Sequence, residues 1–296
     1  MKFLRKIGYP FSLLYGIITS VRNFLYNKHI IKSTQFKTPT IVVGNLSVGG
    51  TGKTPQIEYL IRLLQNDYKI AVLSRGYKRK SIGFIIANEN VTAEIIGDEP
   101  FQYYLKFPNI IVCVDADRVN GIQQLEALEN PPDIILLDDA FQHRRVNAGF
   151  NILLTSNQNL NVDDSMLPTG NLRENKSGAK RAQVIIVTKC PTNISEVEQL
   201  EITKKLNLTT KQSIFFTTIE YDNDLKGALT LNLGDLENFE ILLVTGIANP
   251  TPLTAYLTNR KIKFKHLKYP DHYHFKEKDI AKINSEFKLL QSNNKI

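Results

Sequence analysis

No aspartate or glutamate occurs before Glu58, whereas Lys2, Arg5, Lys6, Arg22, Lys28, Lys32, Lys37 and Lys53 all precede it. These eight cations equal the whole formal charge of +8, so the rest of the chain is balanced. That balance argues against a broad nucleic-acid face and for a basic N-terminal element whose partner is an anionic membrane surface. Cysteine is scarce as well: Cys113 and Cys190 stand far apart after apolar runs, which favours buried free thiols over a disulfide or a metal pair and suits a reducing cytoplasm. Long apolar runs are missing too. The uncharged stretch between Lys6 and Arg22 falls short of the roughly 20 residues a spanning helix needs. Internal repeats and low-complexity tracts are absent.

What the N-terminus does have is a stripe. Leu4, Ile7, Phe11, Leu14, Ile18, Val21 and Leu25 recur at three- and four-residue steps, with Tyr9, Tyr15 and Tyr26 beside them. This predicts a helix within residues 1–31 that starts or kinks at Pro10. A helix lying peripherally in a headgroup boundary suits the pattern, and so does a helix packed on the protein's own core. A secretory signal does not, for want of a small-x-small cleavage site.

Residues 40–43 read as a buried strand, followed by Ser47-Val48-Gly49-Gly50-Thr51-Gly52-Lys53-Thr54 and then a helical pattern in Ile57, Leu60, Ile61 and Leu64. Strand, glycine-rich turn and helix in that order make a phosphate-binding loop. Its amides wrap phosphate oxygens, Lys53 reaches the terminal phosphates and the Thr54 hydroxyl can ligate Mg²⁺. Ser47 replaces the usual first glycine, with Gly49, Gly50 and Gly52 supplying the flexibility. The ligand is a nucleoside triphosphate.

Apolar runs return at 69–74, 109–114, 133–137, 150–155 and 183–188, with a possible extra strand at 83–87. Their spacing predicts an α/β fold like that of phosphate-loop NTPases, a largely parallel sheet with helices on both faces, over residues 32–221. The run at 213–221 reads as a strand that can serve as a connector. A smaller α/β unit at 222–296 follows from strand signals near 240–245 and 262–267 around a helix, and the polar end at 291–295 is expected to fray.

An apolar strand ending in Asp138 and Asp139 puts an acid where a phosphate-loop protein needs one for Mg²⁺. Successive side chains point oppositely, so one faces the metal and the other a second task. Gly97-Asp98-Glu99-Pro100 is an acidic pair at a helix start, and Asp271-His272-Tyr273-His274 is a tight polar cluster. If His272 meets a carboxylate, the pair can accept a hydroxyl proton. Arg75, Arg118, Arg144, Arg145 and Arg173 sit in turns where a transferring phosphate would need cations.

Together these segments resemble the tetraacyldisaccharide 4′-kinases, the lipid A 4′-kinases of Gram-negative envelope synthesis. The likeness runs from 43–55 through Ser74-Arg75-Gly76-Tyr77, 97–100, 138–144 and 167–174 to Pro270-Asp271-His272-Tyr273, with Ala140 and Thr169 departing from its pattern. It implies a two-domain kinase resting on the cytoplasmic face of the inner membrane through its N-terminal helix. It also implies transfer from ATP to the 4′-hydroxyl of a tetraacylated disaccharide 1-phosphate, with no obligatory protein partner. By the same likeness Asp98 is the general base paired with His272, and Asp138 and Asp139 are metal-side acids. Lys53 and the loop hold ATP, with Arg118 and Arg173 as phosphate contacts. A GTPase or metal-delivery switch fits less well, because Thr188-Lys189-Cys190-Pro191 lacks the base-reading aspartate. A partition-type ATPase would carry a lysine where Val48 stands.

Overall fold

A computed structural model describes residues 8–227 and 231–296, so Leu4, Ile7, Lys2, Arg5 and Lys6 of the N-terminal element lie outside the described residues. The chain divides into two compact units, Met1–Ile219 and Glu220–Ile296.

The first unit is organised by β-branched runs buried on both faces. Its strands are β1 (Thr40–Asn45), β2 (Ile70–Ser74), β3 (Ile85–Ile86), β4 (Ile111–Val114), β5 (Ile134–Asp138), β6 (Phe150–Ser156), β7 (Val184–Thr188) and β8 (Ser213–Phe216). Among the described residues they form one eight-stranded sheet in the order β3-β4-β2-β5-β1-β6-β7-β8. Every pairing is parallel except that of β3 with β4. The strand expected within 213–221 forms at 213–216, as an edge strand of this sheet. Ile214 and Phe216 pack into the core while Phe215, on the opposite face, is 56% exposed.

Alternation along each strand sends neighbours to opposite faces and so builds two apolar layers. Val43, Val72, Leu136 and Ile186 pack with Ile57, Leu60 and Ile61 of α2 (Lys53–Leu64) and with Tyr103 of α4 (Asp98–Lys106). Val42, Leu73, Leu137 and Val187 pack with Val119, Ile122 and Leu125 of α5 (Arg118–Glu126) and Leu206 of α6 (Glu196–Leu206). The short α3 (Ala93–Ile96) precedes α4, and both cysteines are free and buried. β5, β2 and β4 lie on one side of β1 and β6, β7 and β8 on the other. The turn after β1 therefore opens at the switch point of the sheet, where open α/β sheets bind ligands.

Helix α1 (Tyr9–Asn27) has Pro10 in its first turn, and it docks by its polar side. Ser12 Oγ donates to Thr169 Oγ1 at 2.7 Å, Tyr15 to the Arg173 carbonyl at 2.8 Å and Asn23 Nδ2 to Glu174 Oε2 at 2.7 Å. Arg22 reaches the Gln142 carbonyl at 2.8 Å, and Arg144 answers onto the Asn23 carbonyl at 2.9 Å. Phe11, Leu14, Ile17, Ile18, Val21 and Phe24 are each more than half exposed. The packing of this stripe on the protein's own core, one of the two placements expected, is thus not what forms. No helix among the described residues is long and apolar enough to cross a membrane.

In the second unit β9 (Asp224–Leu225) pairs antiparallel with β10 (Leu231–Asn232), and β11 (Ile241–Thr245) pairs parallel with β12 (Phe264–Lys268) across α7 (Thr251–Asn259). α8 (Glu277–Lys288) follows. Leu233, Leu236, Ile241, Leu257 and Ile262 form its core. The end of the chain is not frayed as expected: Leu242 N–H donates to the Ile296 carbonyl at 2.8 Å and Ile296 N–H to the Glu240 carbonyl at 3.1 Å.

Candidate active site

The turn between β1 and α2 is held from both sides. Ser47 bridges to Leu172 and the Val48 N–H donates to the Asn171 carbonyl at 2.8 Å, so these two residues anchor the loop. Asn45 Nδ2 donates to Thr51 Oγ1 at 2.8 Å, Thr188 Oγ1 to the Thr51 carbonyl at 2.8 Å and Lys189 Nζ to the Gly50 carbonyl at 2.5 Å. Gly52 caps α2 at φ 86°, a left-handed value that a side chain would strain. Gly50 to Thr54 line one end of a cleft of about 730 Å³ that runs past Glu99, Thr188 and Lys189 to Phe215 and Ile219. The α2 amides at that end carry the positive pole of the helix.

Lys53, Asp139 and Arg173, each assigned a separate task from the sequence, come together. Arg173 Nη1 is 3.0 Å from each Asp139 oxygen, and Lys53 Nζ is 3.8 Å from Asp139 Oδ2. β5 stops at Asp138 and Asp139 turns out at φ 48°, which separates the two carboxylates. Asp139 is paired with the two cations, whereas Asp138 stays in the interior at the end of β5.

Asp138 is buried. Tyr103 donates to its Oδ2 at 3.3 Å, and among the described residues Oδ1 has no hydrogen-bond partner. Burial, followed by the neighbouring charges of Glu99 and Asp139, pushes its carboxyl up to about 7 against the pull of Lys53 and Arg118. An unpartnered oxygen of this kind, with the Thr54 hydroxyl and Glu99 beside it, is an all-oxygen donor set suited to Mg²⁺ completed by phosphate oxygens. No cluster of three or more His, Cys, Asp or Glu side chains fit to hold a metal is found among the described residues.

Glu99 is the residue the sequence reading passed over. It stood there as half of a helix-start acid pair, yet the Thr54 hydroxyl donates to its Oε1 at 3.4 Å. The available signal was its place one residue after Asp98 at the start of a helix. Asp98 itself is exposed and opens α4, with Gly97 at φ 93° as the N-cap. A Cβ on Gly97 would lie 3.1 Å from Gly76 Cα, so the Ser74–Tyr77 and Gly97–Pro100 motifs meet glycine to glycine.

Arg118 departs from expectation. It is 2% exposed, its Nη1 donates to the Asp115 carbonyl at 2.6 Å and its Nη2 to the Asp138 carbonyl at 3.1 Å. It braces the end of β5 instead of presenting a cation to phosphate, and burial lowers its guanidinium to about 10. His272 belongs to the second unit, in the turn after β12, where it adopts φ 52° and its Nε2 lies 3.8 Å from Asp271 Oδ2. Its N–H donates to the Gly246 carbonyl at 3.2 Å.

Residues 4–294 match the family model of tetraacyldisaccharide-1-P 4′-kinase. The chain belongs to that family. A tetraacyldisaccharide 4′-kinase of Flavobacterium johnsoniae is 57% identical over 287 residues, covering 97% of this chain and 84% of that protein. Its counterpart in Bacteroides thetaiotaomicron is 45% identical over 305 residues, covering 99% of this chain and 80% of that one. The crystal structure of the "apo" form of LpxK from Aquifex aeolicus in complex with ATP superposes with a TM-score of 0.78 at 34% identity, covering 99% of this chain and 92% of that one. Of the two departures from the family pattern, Thr169 is the partner of Ser12 on α1 and Ala140 is buried in the core beside Phe141.

Proposed function

We propose that this chain transfers the γ-phosphoryl group of ATP to the 4′-hydroxyl of a tetraacylated glucosamine disaccharide 1-phosphate, a lipid A precursor, at a membrane surface. The convergence of Lys53, Thr54, Glu99, Asp138, Asp139 and Arg173 at one switch point carries this reading. The donor's phosphates lie on the Gly50–Thr54 amides and Lys53, with Arg173 held ready by Asp139. Thr54, Asp138 and Glu99 would hold Mg²⁺, which when bound neutralises charge on the transferring phosphates. Asp98 accepts the proton of the attacking hydroxyl, and His272 is a second proton-handling group. Most of the acceleration then comes from positioning and charge stabilisation.

The membrane part of the reading rests on α1, which turns aliphatic and aromatic side chains outward while its polar side holds the protein. A helix so arranged lies along an interface without spanning it, and the cytoplasmic face of an inner membrane supplies both ATP and anionic lipid. The test is mass-spectrometric detection of phosphate added to the acylated disaccharide in detergent, with wild type and His272→Ala side by side. Product from the wild type and a large drop for His272→Ala is the expected result. ATP consumption that ignores the disaccharide would return the chain to the class of phosphate-loop switches.

A further inference from the structure

We propose that the basic loop at 75–83 is a second contact with an anionic lipid surface, with Ile82 as the side chain that enters the bilayer. This rests on the membrane reading of α1 and adds a separate anchor to it. Ile82 is 95% exposed, more than any other large apolar side chain among the described residues, and Tyr77 is 64% exposed. Arg75, Lys78 and Lys80 are exposed around them, with Lys78 Nζ 5.5 Å from the Tyr77 ring centre. Cations surrounding an aliphatic tip with a tyrosine beside it match an interface where phosphate lies above acyl chain.

The loop is built to hold that shape. Arg79 is turned inward, donating from Nη2 to the Gly83 carbonyl at 2.8 Å and from Nη1 to the Val114 carbonyl at 3.4 Å. The Lys80 N–H donates to the Glu94 carbonyl at 2.8 Å and Ser81 Oγ to the Ile95 carbonyl at 2.5 Å. Glu94 also pairs with Lys80 Nζ at 2.6 Å, so part of the positive charge is offset locally and Arg75 and Lys78 carry more of the attraction. An exposed isoleucine fixed by four such bonds is held out by the fold and is not a frayed end.

Its place in the fold is shared with α1. The loop leaves the carboxyl end of β2, which pairs with β5, and the residues just after β5 carry α1 through Gln142 and Arg144. Both the loop and the residues that carry α1 therefore follow the carboxyl ends of neighbouring parallel strands. A nucleic acid would use the cations and leave Ile82 idle, whereas a bilayer uses both. At its base, Gly76 packs on Gly97, so a lipid contact here lies one residue from Asp98.

The test uses the full chain and vesicles of phosphatidylcholine with or without phosphatidylglycerol in moderate salt. The chain has no tryptophan, so Ile82→Trp supplies a single reporter. Its emission is expected to shift to the blue on anionic vesicles and to be quenched by acyl-brominated lipid. Ile82→Asp and Lys78→Glu should each weaken co-sedimentation about tenfold without lowering the melting temperature. Ile17→Asp on α1 is the control for the underlying reading. If Ile17→Asp weakens binding while the Ile82→Trp emission ignores vesicles, the loop proposal falls and the α1 reading stands. If the wild type does not sediment with either vesicle, both fall. Displacement of vesicles by a single-stranded RNA through Lys78, with Ile82→Asp silent, also overturns it.

Discussion

The Tyr103 hydroxyl lies 3.3 Å from Asp138 Oδ2, while Oδ1 of the same carboxylate has no hydrogen-bond partner among the described residues. A buried carboxylate satisfied on one side prefers to be protonated until something positive arrives on the other. The fold raises this group from 3.8 to about 7, with burial as the leading cause. A raised acid contributes stability that is fully present below its unfolded value and is lost as pH rises through its folded value. Metal-free protein should therefore lose stability between about pH 4 and pH 8 on account of Asp138. Asp138→Asn, which cannot ionise, should match the wild type near pH 4 and exceed it above pH 7 by on the order of 2–4 kcal/mol. Urea unfolding in a chelator measures this, and parallel pH profiles for the two proteins would refute it.

Asp98→Ala should lower kcat by about 10²–10⁴ and leave the dissociation constant for ATP unchanged, because the side chain lies at the helix start and not in the phosphate loop. Isothermal titration with a non-hydrolysable ATP analogue, run beside the turnover assay, separates the two quantities. Undiminished turnover would remove Asp98 from the reaction.

Gly97→Ala should be worse than its size suggests. The residue sits at φ 93°, and the added methyl would meet Gly76 Cα and the Tyr77 carbonyl at 3.1 Å. A cost of about 1–3 kcal/mol is expected, together with a fall in kcat of at least about tenfold as Asp98 shifts. Full activity at an unchanged melting temperature would show that the two motifs tolerate separation.

Glu174 is 1% exposed and accepts from Asn23, from Gln142 and twice from Arg181. Removing it leaves Arg181 without its carboxylate partner, so Glu174→Ala should destabilise by about 3–5 kcal/mol, and Glu174→Gln by less. Calorimetry checks the order of the two variants.

Much of the sheet was legible because β-branched runs buried on both faces have few alternative fates, as at Ile70–Ser74 and Ile134–Asp138. The run at 213–216 was harder. Its alternation matches an edge strand and a connector equally, and only partners far away in the chain decide. The stripe on α1 raised the same difficulty, since a period of 3.6 reports an apolar face without saying what covers it. The answer came from Ser12, Tyr15 and Asn23, polar residues whose partners lie about 150 positions away. In the site, Lys53, Thr54, Asp138 and Asp139 were readable from local motifs. The inward turn of Arg118 and the approach of Glu99 to Thr54 depend on how loops after different strands meet, which spacing alone does not encode.

The polar side of α1 also sets the helix's phase. Each residue advances a helix by about 100°, so deleting one residue between Tyr15 and Asn23 would rotate one end against the other. The same helix would then keep its protein bonds at one end only, with Phe24 brought to the place of Asn23 opposite Glu174. Single-residue insertions and deletions here should be excluded far more strictly than substitutions among the outward aliphatic residues. The helix is in this sense a key cut on one side, free to vary in composition on the outer face and fixed in length on the inner one.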